Sequence, residues 1–271
     1  MLSLSTSPII ARYLENVPAV AISFWRMGFG ALILWGVSLV KKQIPLKNGN
    51  LNRTLIAGIL LGIHFALFFG AIKLTTIANS TFLGTLAPLF TFIIEKYMLK
   101  RDHTPELLWG LGFAICGAII IIGNKFDFSS SYTIGNLFAV TCSVFLGMAF
   151  IISENVRKEV GTISYSRTLF STATITLLVI ALCTGSTLTG FSSDEFGGLL
   201  FLGIIPTLLG HGSMYFALRY VSPTVVAATP MGEPILASIM AWFLFQEAVG
   251  TITLIGGSVT LIGLFLLAWQ K

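Results

Sequence analysis

Apolar runs of about 20 residues recur along the whole chain, separated by short stretches that carry charges and turn-forming residues. Each run is long enough to cross the roughly 30 Å hydrocarbon core of a bilayer as an α-helix. Of the 271 residues, 55% are hydrophobic and 10% are charged, whereas a soluble domain carries about 25% charged residues. The sequence therefore predicts a single all-α integral membrane domain over residues 1–271, embedded in the lipid bilayer.

These runs predict ten helical segments, and all but the first are long enough to span a bilayer. The first is too short, because 14 helical residues rise only about 21 Å. We therefore expect either a shortened first helix or further sequence upstream of Met1. The segments are 1–14, 17–40, 54–72, 75–95, 105–123, 134–153, 162–184, 196–218, 222–245 and 249–269.

The two halves of the chain match each other at a nearly constant offset, which indicates an internal repeat. Five helices per repeat is an odd number, so the second repeat must lie inverted in the membrane relative to the first. The predicted fold is ten transmembrane helices in two inverted five-helix repeats, about 1–125 and about 134–271. The matches are Ala71 with Ala217, Pro88 with Pro234, Gly110 with Gly256 and Gly117 with Gly263 at an offset of 146, and Arg26 with Arg167 at an offset of 141.

Positive charges fall mainly on one side of this predicted topology. With the loops assigned alternately, one side collects eleven Lys and Arg residues and the other side collects three. Cytoplasmic loops carry such an excess, so we expect both termini to lie in the cytoplasm. The same excess accounts for the net charge of +5, and no nucleic-acid partner is expected.

The segment Thr229-Pro230-Met231-Gly232-Glu233-Pro234 interrupts the apolar run over 222–245. Each proline removes a backbone hydrogen bond from the helix, and a carboxylate at the bilayer centre costs about 2.5–3.5 kcal/mol. Such a segment is tolerated where it lines a cavity, so we expect helix bends at Pro230 and Pro234, matched by Pro88 in the first half. Glu233 is then a candidate for binding a cationic substrate or carrying a proton. The alternative is a structural carboxylate that caps backbone donors freed at the bend.

Three more ionisable side chains lie inside apolar runs, where an unpartnered charge is costly. His64 and His211 fall in equivalent segments, and each is either an interhelical hydrogen-bond partner or a proton-relay and substrate contact. Arg26 lies too deep to reach the interface easily, so it requires a substrate carboxylate, a carbonyl cluster, a water-filled vestibule, or a pair with Glu15 or Glu233. Further candidates for stacking or hydrogen bonding in the pathway are Trp25, Asn79 and Tyr215.

Signatures of catalysis and of cofactor binding are missing from the sequence. The three cysteines form no CxxC pair and are interpreted as buried apolar residues, so no metal is expected. HExxH, GxSxG, Walker and GxGxxG motifs are absent, so neither a cofactor nor enzymatic activity is expected. Two classes of protein are kept as alternatives throughout. One is an intramembrane enzyme with an acid–base site of His64, His211 and Glu233, and the other is a membrane scaffold that transports nothing.

A longer pattern runs from His211-Gly212 through Ala217-Leu218-Arg219-Tyr220 and Gly232-Glu233-Pro234-Ile235 to Glu247. The first half echoes it with His64-Phe65, Ala78-Asn79-Ser80 and Pro88. In this pattern the chain resembles the drug/metabolite transporter superfamily, in its EamA-type branch of ten-helix bacterial exporters. It departs from the family at the shortened first helix and at Lys100-Arg101-Asp102, where the first half often has an acidic residue.

The resemblance implies a secondary transporter of the bacterial inner membrane that works by alternating access without a cofactor. The implied substrate is a small polar metabolite, amino acid-like or drug-like, which is exported or exchanged. Protons are a candidate coupling ion. The resemblance also favours the structural interpretation of Glu233, because a Glu-Pro pair here is common among members with different substrates. The substrate, the direction of transport, the coupling ion and the oligomeric state are left open.

Overall fold

A computed structural model describes residues 2–41, 43–101, 106–123 and 130–268. These ranges contain ten helical segments and no strand. Lys42, Lys125 and Lys271, three of the basic residues behind the predicted charge asymmetry, lie outside the described residues. The helices are α1 (Leu2–Tyr13), α2 (Ala19–Val40), α3 (Asn48–Leu74), α4 (Ile77–Met98), α5 (Glu106–Gly123), α6 (Ser131–Glu159), α7 (Thr162–Thr184), α8 (Ser193–Ala217), α9 (Pro223–Phe245) and α10 (Thr251–Ala268).

Seven of these helices, α2 to α4 and α6 to α9, are long and apolar enough to cross a membrane when the described residues are assessed by length and composition. The helices α5 and α10, which end each half, are also apolar but shorter. The first helix has 12 residues. This arrangement confirms the all-α membrane fold.

Two helices, α4 and α9, are interrupted near their middles. In α4, one helical segment ends at Gly84 and the next begins at Ala87. In α9, a 3₁₀ turn over Thr229–Gly232 separates two α-helical segments. Pro88, Pro230 and Pro234 each lie in the first turn of a new segment, where the missing N–H breaks no helical hydrogen bond. The prolines therefore start helical segments rather than kink continuous ones.

Several packed helix pairs have a counterpart in which each helix is replaced by the equivalent helix of the other half. The α3–α6 packing has its counterpart in α1–α8, the α3–α7 packing in α2–α8, and the α4–α6 packing in α1–α9. The remaining major pairs, α2–α7, α4–α9 and α5–α10, join equivalent helices of the two halves. This contact pattern is the one expected of two five-helix units related by a pseudo-twofold axis in the membrane plane.

The α5–α10 pair shows the same exchange at atomic detail. A Cβ added to Gly117 would lie 2.5 Å from the Gly256 carbonyl oxygen, and one added to Gly263 would lie 2.6 Å from the Gly110 carbonyl oxygen. The sequence offset pairs Gly110 with Gly256 and Gly117 with Gly263, so it converts the first contact into the second. Glycine is needed at these positions because the two backbones approach too closely for any side chain.

Candidate functional site

A small cavity lies where the interrupted regions of α4 and α9 meet α1, α2, α3, α6 and α8. Its volume is about 40 Å³, which is room for a few water molecules. The offset of 146 relates three pairs of lining residues, so the cavity lies between the two halves. These pairs are Phe65 with His211, Phe68 with Met214 and Gly84 with Pro230; the other lining residues are Leu4, Ser7, Arg26, His64, Thr81, Thr85, Leu146 and Glu233.

Arg26 is the most completely enclosed charge at this cavity, with 1% of its surface exposed. Its Nη1 donates to the Ser7 hydroxyl at 2.7 Å, and its Nε donates to the Thr207 hydroxyl at 2.8 Å. The guanidinium carbon also lies 4.3 Å from the centre of the Phe65 ring, a cation–π distance. Of the alternatives considered for Arg26, the ion pair with Glu15 or Glu233 is not formed in this structure, and hydroxyls from α1 and α8 accept from the guanidinium.

Thr207 is positioned by an irregular segment of α8 that the sequence pattern did not reveal. The residues Gly203–His211 are π-helical, and within them Pro206 has no N–H to donate to the Leu202 carbonyl. The Thr207 hydroxyl donates to that carbonyl at 2.8 Å instead. The oxygen that remains free to accept then faces Arg26, so this irregular segment of α8 sets the geometry of the arginine site.

The two histidines at the cavity are held by different partners. His64 Nδ1 lies 2.9 Å from the Cys142 carbonyl oxygen, to which it donates, so Nε2 of the neutral ring is left as an acceptor. His211 Nδ1 lies 3.3 Å from Arg26 Nη2 and 3.2 Å from the Pro206 carbonyl oxygen. A guanidinium only donates, so Nδ1 accepts from Arg26 when unprotonated and donates to Pro206 when protonated. The ring centres are 6.4 Å apart.

Glu233 begins the second α-helical segment of α9 and is half-buried at the cavity wall. In the described part of the chain, its carboxylate forms no hydrogen bond and no ion pair within 4 Å. The interpretation of Glu233 as a cap for freed backbone donors therefore has no contact to support it. A carboxylate and the Arg26 guanidinium face the same small space without neutralising each other directly.

The other three predicted pathway residues lie away from the cavity. Trp25 donates from Nε1 to the Leu188 carbonyl oxygen at 2.7 Å and packs on Phe196. Asn79 joins three helices by donating to Tyr132 in α6 at 2.7 Å and accepting from Thr253 in α10 at 2.8 Å. Tyr215 is buried among aromatic rings, and its hydroxyl has no hydrogen-bond partner among the residues that the structure describes.

Several residues that build the site were not singled out from the sequence, chiefly Ser7, Thr207, Thr85 and Phe65. A usable signal was available in Arg26 itself. A guanidinium has five N–H donors, so burying one predicts hydroxyl or carbonyl acceptors in other apolar runs. Ser7 and Thr207 are such residues, but many serines and threonines in these runs satisfy that description. The choice among them depends on helix packing.

Comparison with known proteins supports the fold and the class of protein. A solved crystal structure matches with a TM-score of 0.72 at 17% identity, covering 98% of this chain and 92% of its own. An uncharacterized transporter of Archaeoglobus fulgidus is 22% identical over 93% of this chain and 89% of its own length. The uncharacterized transporter YdfC of Bacillus subtilis is 26% identical over 96% of this chain and 85% of its own length.

The model of the EamA-like transporter family matches the chain twice, over residues 1–123 and over residues 133–269. The two matches fall on the two halves that the sequence offsets and the helix packing relate to each other. They confirm the resemblance to the drug/metabolite transporter superfamily, and the relatives are likewise named transporters. The chain therefore belongs to the EamA-like transporter family and is a multi-pass membrane protein of the transporter class.

Proposed function

We propose that this protein is a secondary transporter that exports or exchanges a small polar metabolite through the Arg26–Glu233 cavity. The observation that carries the proposal is the pair of opposite charges, Arg26 and Glu233, which line one cavity without an ion pair between them. A substrate that carries both an anionic group and an amine would complete both sites, with the anion at Arg26 and the amine at Glu233. An amino acid-like metabolite has this chemistry.

Transport by alternating access would use the two halves, about 1–125 and about 134–271, as the moving units. Their shared cavity is too small for a metabolite in this conformation, so substrate entry requires the halves to rock apart on one side. The interruptions of α4 and α9 lie at the cavity wall and are suited to absorb that motion. We place the protein in the inner membrane with both termini in the cytoplasm, because the basic loops favour that orientation.

Proton coupling is part of the proposal, and His211 and Glu233 together would carry it. A proton on His211 Nδ1 removes the acceptor for Arg26 Nη2 and places a second cation beside the first. Protonation would therefore free Arg26 to bind an anionic substrate group, and deprotonation would restore the contact. Glu233 is the other group at the cavity wall that can exchange a proton. The two sites together would link substrate binding to proton movement.

Proteoliposomes test this proposal with the intact chain. Vesicles containing the protein are loaded with labelled zwitterionic, anionic and cationic metabolites, and release is measured with and without an imposed pH gradient. We expect release of a zwitterionic substrate to depend on the pH gradient, and Glu233→Gln to abolish that dependence. Glu15→Gln, a change at an exposed carboxylate, is the matched control.

The same experiment separates the other classes of protein. Chemical alteration of a lipid or of a loaded compound, with no net release of any metabolite, would favour an intramembrane enzyme using His64, His211 and Glu233. Release that is unchanged in rate and in pH dependence for Glu233→Gln would remove Glu233 from the site. No movement of any compound under any gradient would overturn the transporter proposal.

A further inference from the structure

A cluster of charged side chains lies at the end of α4, far from the central cavity. Arg101, in the connection after α4, donates from Nη1 to Glu95 of α4 and from Nη2 to Glu154 of α6, each at 2.6 Å. The Glu95 carboxylate also accepts from the Thr224 hydroxyl of α9 at 2.7 Å, and Glu154 pairs with Lys158 at 2.9 Å. Both carboxylates are buried, whereas the Arg101 side chain is 33% exposed, so these pairs are only partly screened by water and salt.

A second cluster lies at the opposite ends of α4 and α9. Arg12 of α1 lies 3.4 Å from the carboxylate of Glu247, which follows α9. The same guanidinium donates to the Thr75 carbonyl oxygen at 2.8 Å, and the same carboxylate accepts from the Ile77 backbone N–H at 2.6 Å. The two clusters are separated by the length of a spanning helix, because Glu95 and Ile77 are at opposite ends of α4 and Thr224 and Glu247 are at opposite ends of α9.

The two clusters are equivalent in the repeat but opposite in charge. In each, the residue after the fourth helix of one half pairs with the first helix of the other half. The offset of 146 places Arg101 and Glu247 at the same repeat position. Arginine on the connection meets glutamate on the helix at one face, and glutamate on the connection meets arginine on the helix at the other face.

We propose that Arg101–Glu154 and Arg12–Glu247 are paired struts that close the two ends of the transport pathway, one at each face of the membrane. Each strut joins the two halves across the pseudo-twofold axis, so the halves cannot separate at a face while its strut is formed. Both struts are formed in this structure, and the cavity between them is small, at about 40 Å³. This inference rests on the proposed transport function, since it specifies which contacts must break for the cavity to open to either side.

The struts are tested by the accessibility of a cysteine placed in the cavity. Cys116, Cys142 and Cys183 are replaced by serine, and Thr85→Cys provides a thiol at the cavity wall. Arg101→Gln breaks one strut and Arg12→Gln breaks the other. Lys100→Gln and Glu15→Gln are the matched controls, since each removes a neighbouring exposed charge outside the struts. A sulfonated, membrane-impermeant maleimide is applied to right-side-out and inverted vesicles, and the labelling rate is measured at each face.

We expect Arg101→Gln to accelerate labelling from the Arg101 face about fivefold, the population change that follows from losing about 1 kcal/mol. Arg12→Gln should do the same from the Arg12 face, and neither change should accelerate labelling at the opposite face. The charge-exchanged double variant Arg12→Glu/Glu247→Arg should return labelling part of the way to the parental rate, because it restores the ion pair but not the contacts with the Thr75 carbonyl and the Ile77 N–H. It also shows that the effect depends on the pair rather than on one side chain. Labelling that rises equally at both faces, or stays unchanged in both variants, overturns the proposal.

Folding and transport are measured in the same preparations. A size-exclusion profile in detergent excludes misfolded variants, and Arg101→Lys supplies a second variant that retains the charge but not the two-point geometry, and it should label at a rate between those of the parent and Arg101→Gln. Face-selective labelling in a protein that moves no metabolite would support the struts and contradict the transport function. Metabolite release with no face-selective effect would support the transport function and contradict the struts.

Discussion

Arg26 and Arg167 occupy equivalent positions in the two halves, and each guanidinium lies over an aromatic ring, yet the two side chains differ in burial and in hydrogen-bond partners. Arg26 is enclosed at the central cavity, with hydroxyls from α1 and α8 accepting from its guanidinium. Arg167 is half-buried, its guanidinium lies 4.4 Å from the centre of the Trp35 indole, and its Nε has no hydrogen-bond partner in the described part of the chain. The repeat therefore determines where the backbone goes, and the partners contributed by other helices determine which copy becomes a binding site.

The largest expected effect comes from removing the enclosed charge of Arg26, whose surroundings distinguish the two halves. Arg26→Gln should lower the transport rate about 100-fold, because a charge-assisted hydrogen bond to the substrate contributes about 1.5–3 kcal/mol. Arg167→Gln removes the same charge at the equivalent position and should change the rate by less than about fivefold, because a cation–π contact of a partly exposed residue contributes about 0.5–1 kcal/mol. The measurement is the initial rate of metabolite release from proteoliposomes.

Arg26 also supports the fold, so a folding control is needed for this pair. Its loss leaves the Ser7 and Thr207 hydroxyls without their donor, which costs about 1–3 kcal/mol for each buried group that finds no other partner. Arg26→Lys keeps the charge and should fold while losing the two-point geometry of the guanidinium. Equal transport by Arg26→Gln and Arg167→Gln, in folded protein, would mean that the cavity is not the binding site.

The second comparison concerns glycines that occupy equivalent positions in the two halves and make equivalent contacts. Gly117→Ala and Gly263→Ala each force a Cβ against the backbone of the facing helix, within 2.5 Å and 2.3 Å of backbone atoms respectively. Each should lower the free energy of unfolding by about 1–3 kcal/mol, as overpacking does elsewhere. The two values should agree closely because the contacts exchange under the repeat. Unfolding in mixed detergent–SDS micelles provides the measurement.

Gly112→Ala is the control for the glycine pair, since a Cβ at Gly112 meets nothing within 4 Å. It should leave stability unchanged or raise it by up to about 1 kcal/mol, because alanine is favoured over glycine in a helix. A large difference between the Gly117 and Gly263 variants would show that the α5–α10 contact is not symmetric in the membrane. Such a result would weaken the view that the halves form equivalent units.

Hydrophobicity and repeat offsets were sufficient to predict most of the fold from the sequence. The runs located ten helices, and the offset of 146 correctly identified equivalent glycines in α5 and α10. What the pattern could not supply was the state of α8 around Pro206, because a proline in an apolar run is equally compatible with a bend, a new helical start or a π-helical turn. Thr207 and its contact with Arg26 depend on that state.

Four of the residues singled out from the sequence line the cavity and three do not, and the chemistry of their side chains explains the difference. Ionisable side chains inside apolar runs are costly enough to be steered toward a cavity, and Arg26, His64, His211 and Glu233 all line it. Trp25, Asn79 and Tyr215 carry no such cost, since aromatic and amide side chains also pack or hydrogen-bond between helices. Whether one of these side chains faces a cavity depends on how its helix is rotated about its own axis. A single residue in the sequence does not reveal that rotation.

The smallest expected effect concerns Tyr215, whose equivalent at the offset of 146 is Phe69. Tyr215→Phe makes the halves alike and removes a buried hydroxyl that has no partner, so the free energy of unfolding should rise by about 1 kcal/mol. Tyr165→Phe is the matched control. Its hydroxyl contacts the Ser153 hydroxyl, and losing that bond should lower the free energy of unfolding by about 1 kcal/mol.

Transport by Tyr215→Phe should stay at the parental rate, because the side chain lies away from the cavity. A fall in transport without a change in stability would mean that the hydroxyl finds its partner in the substrate or in an open conformation, and would return Tyr215 to the pathway.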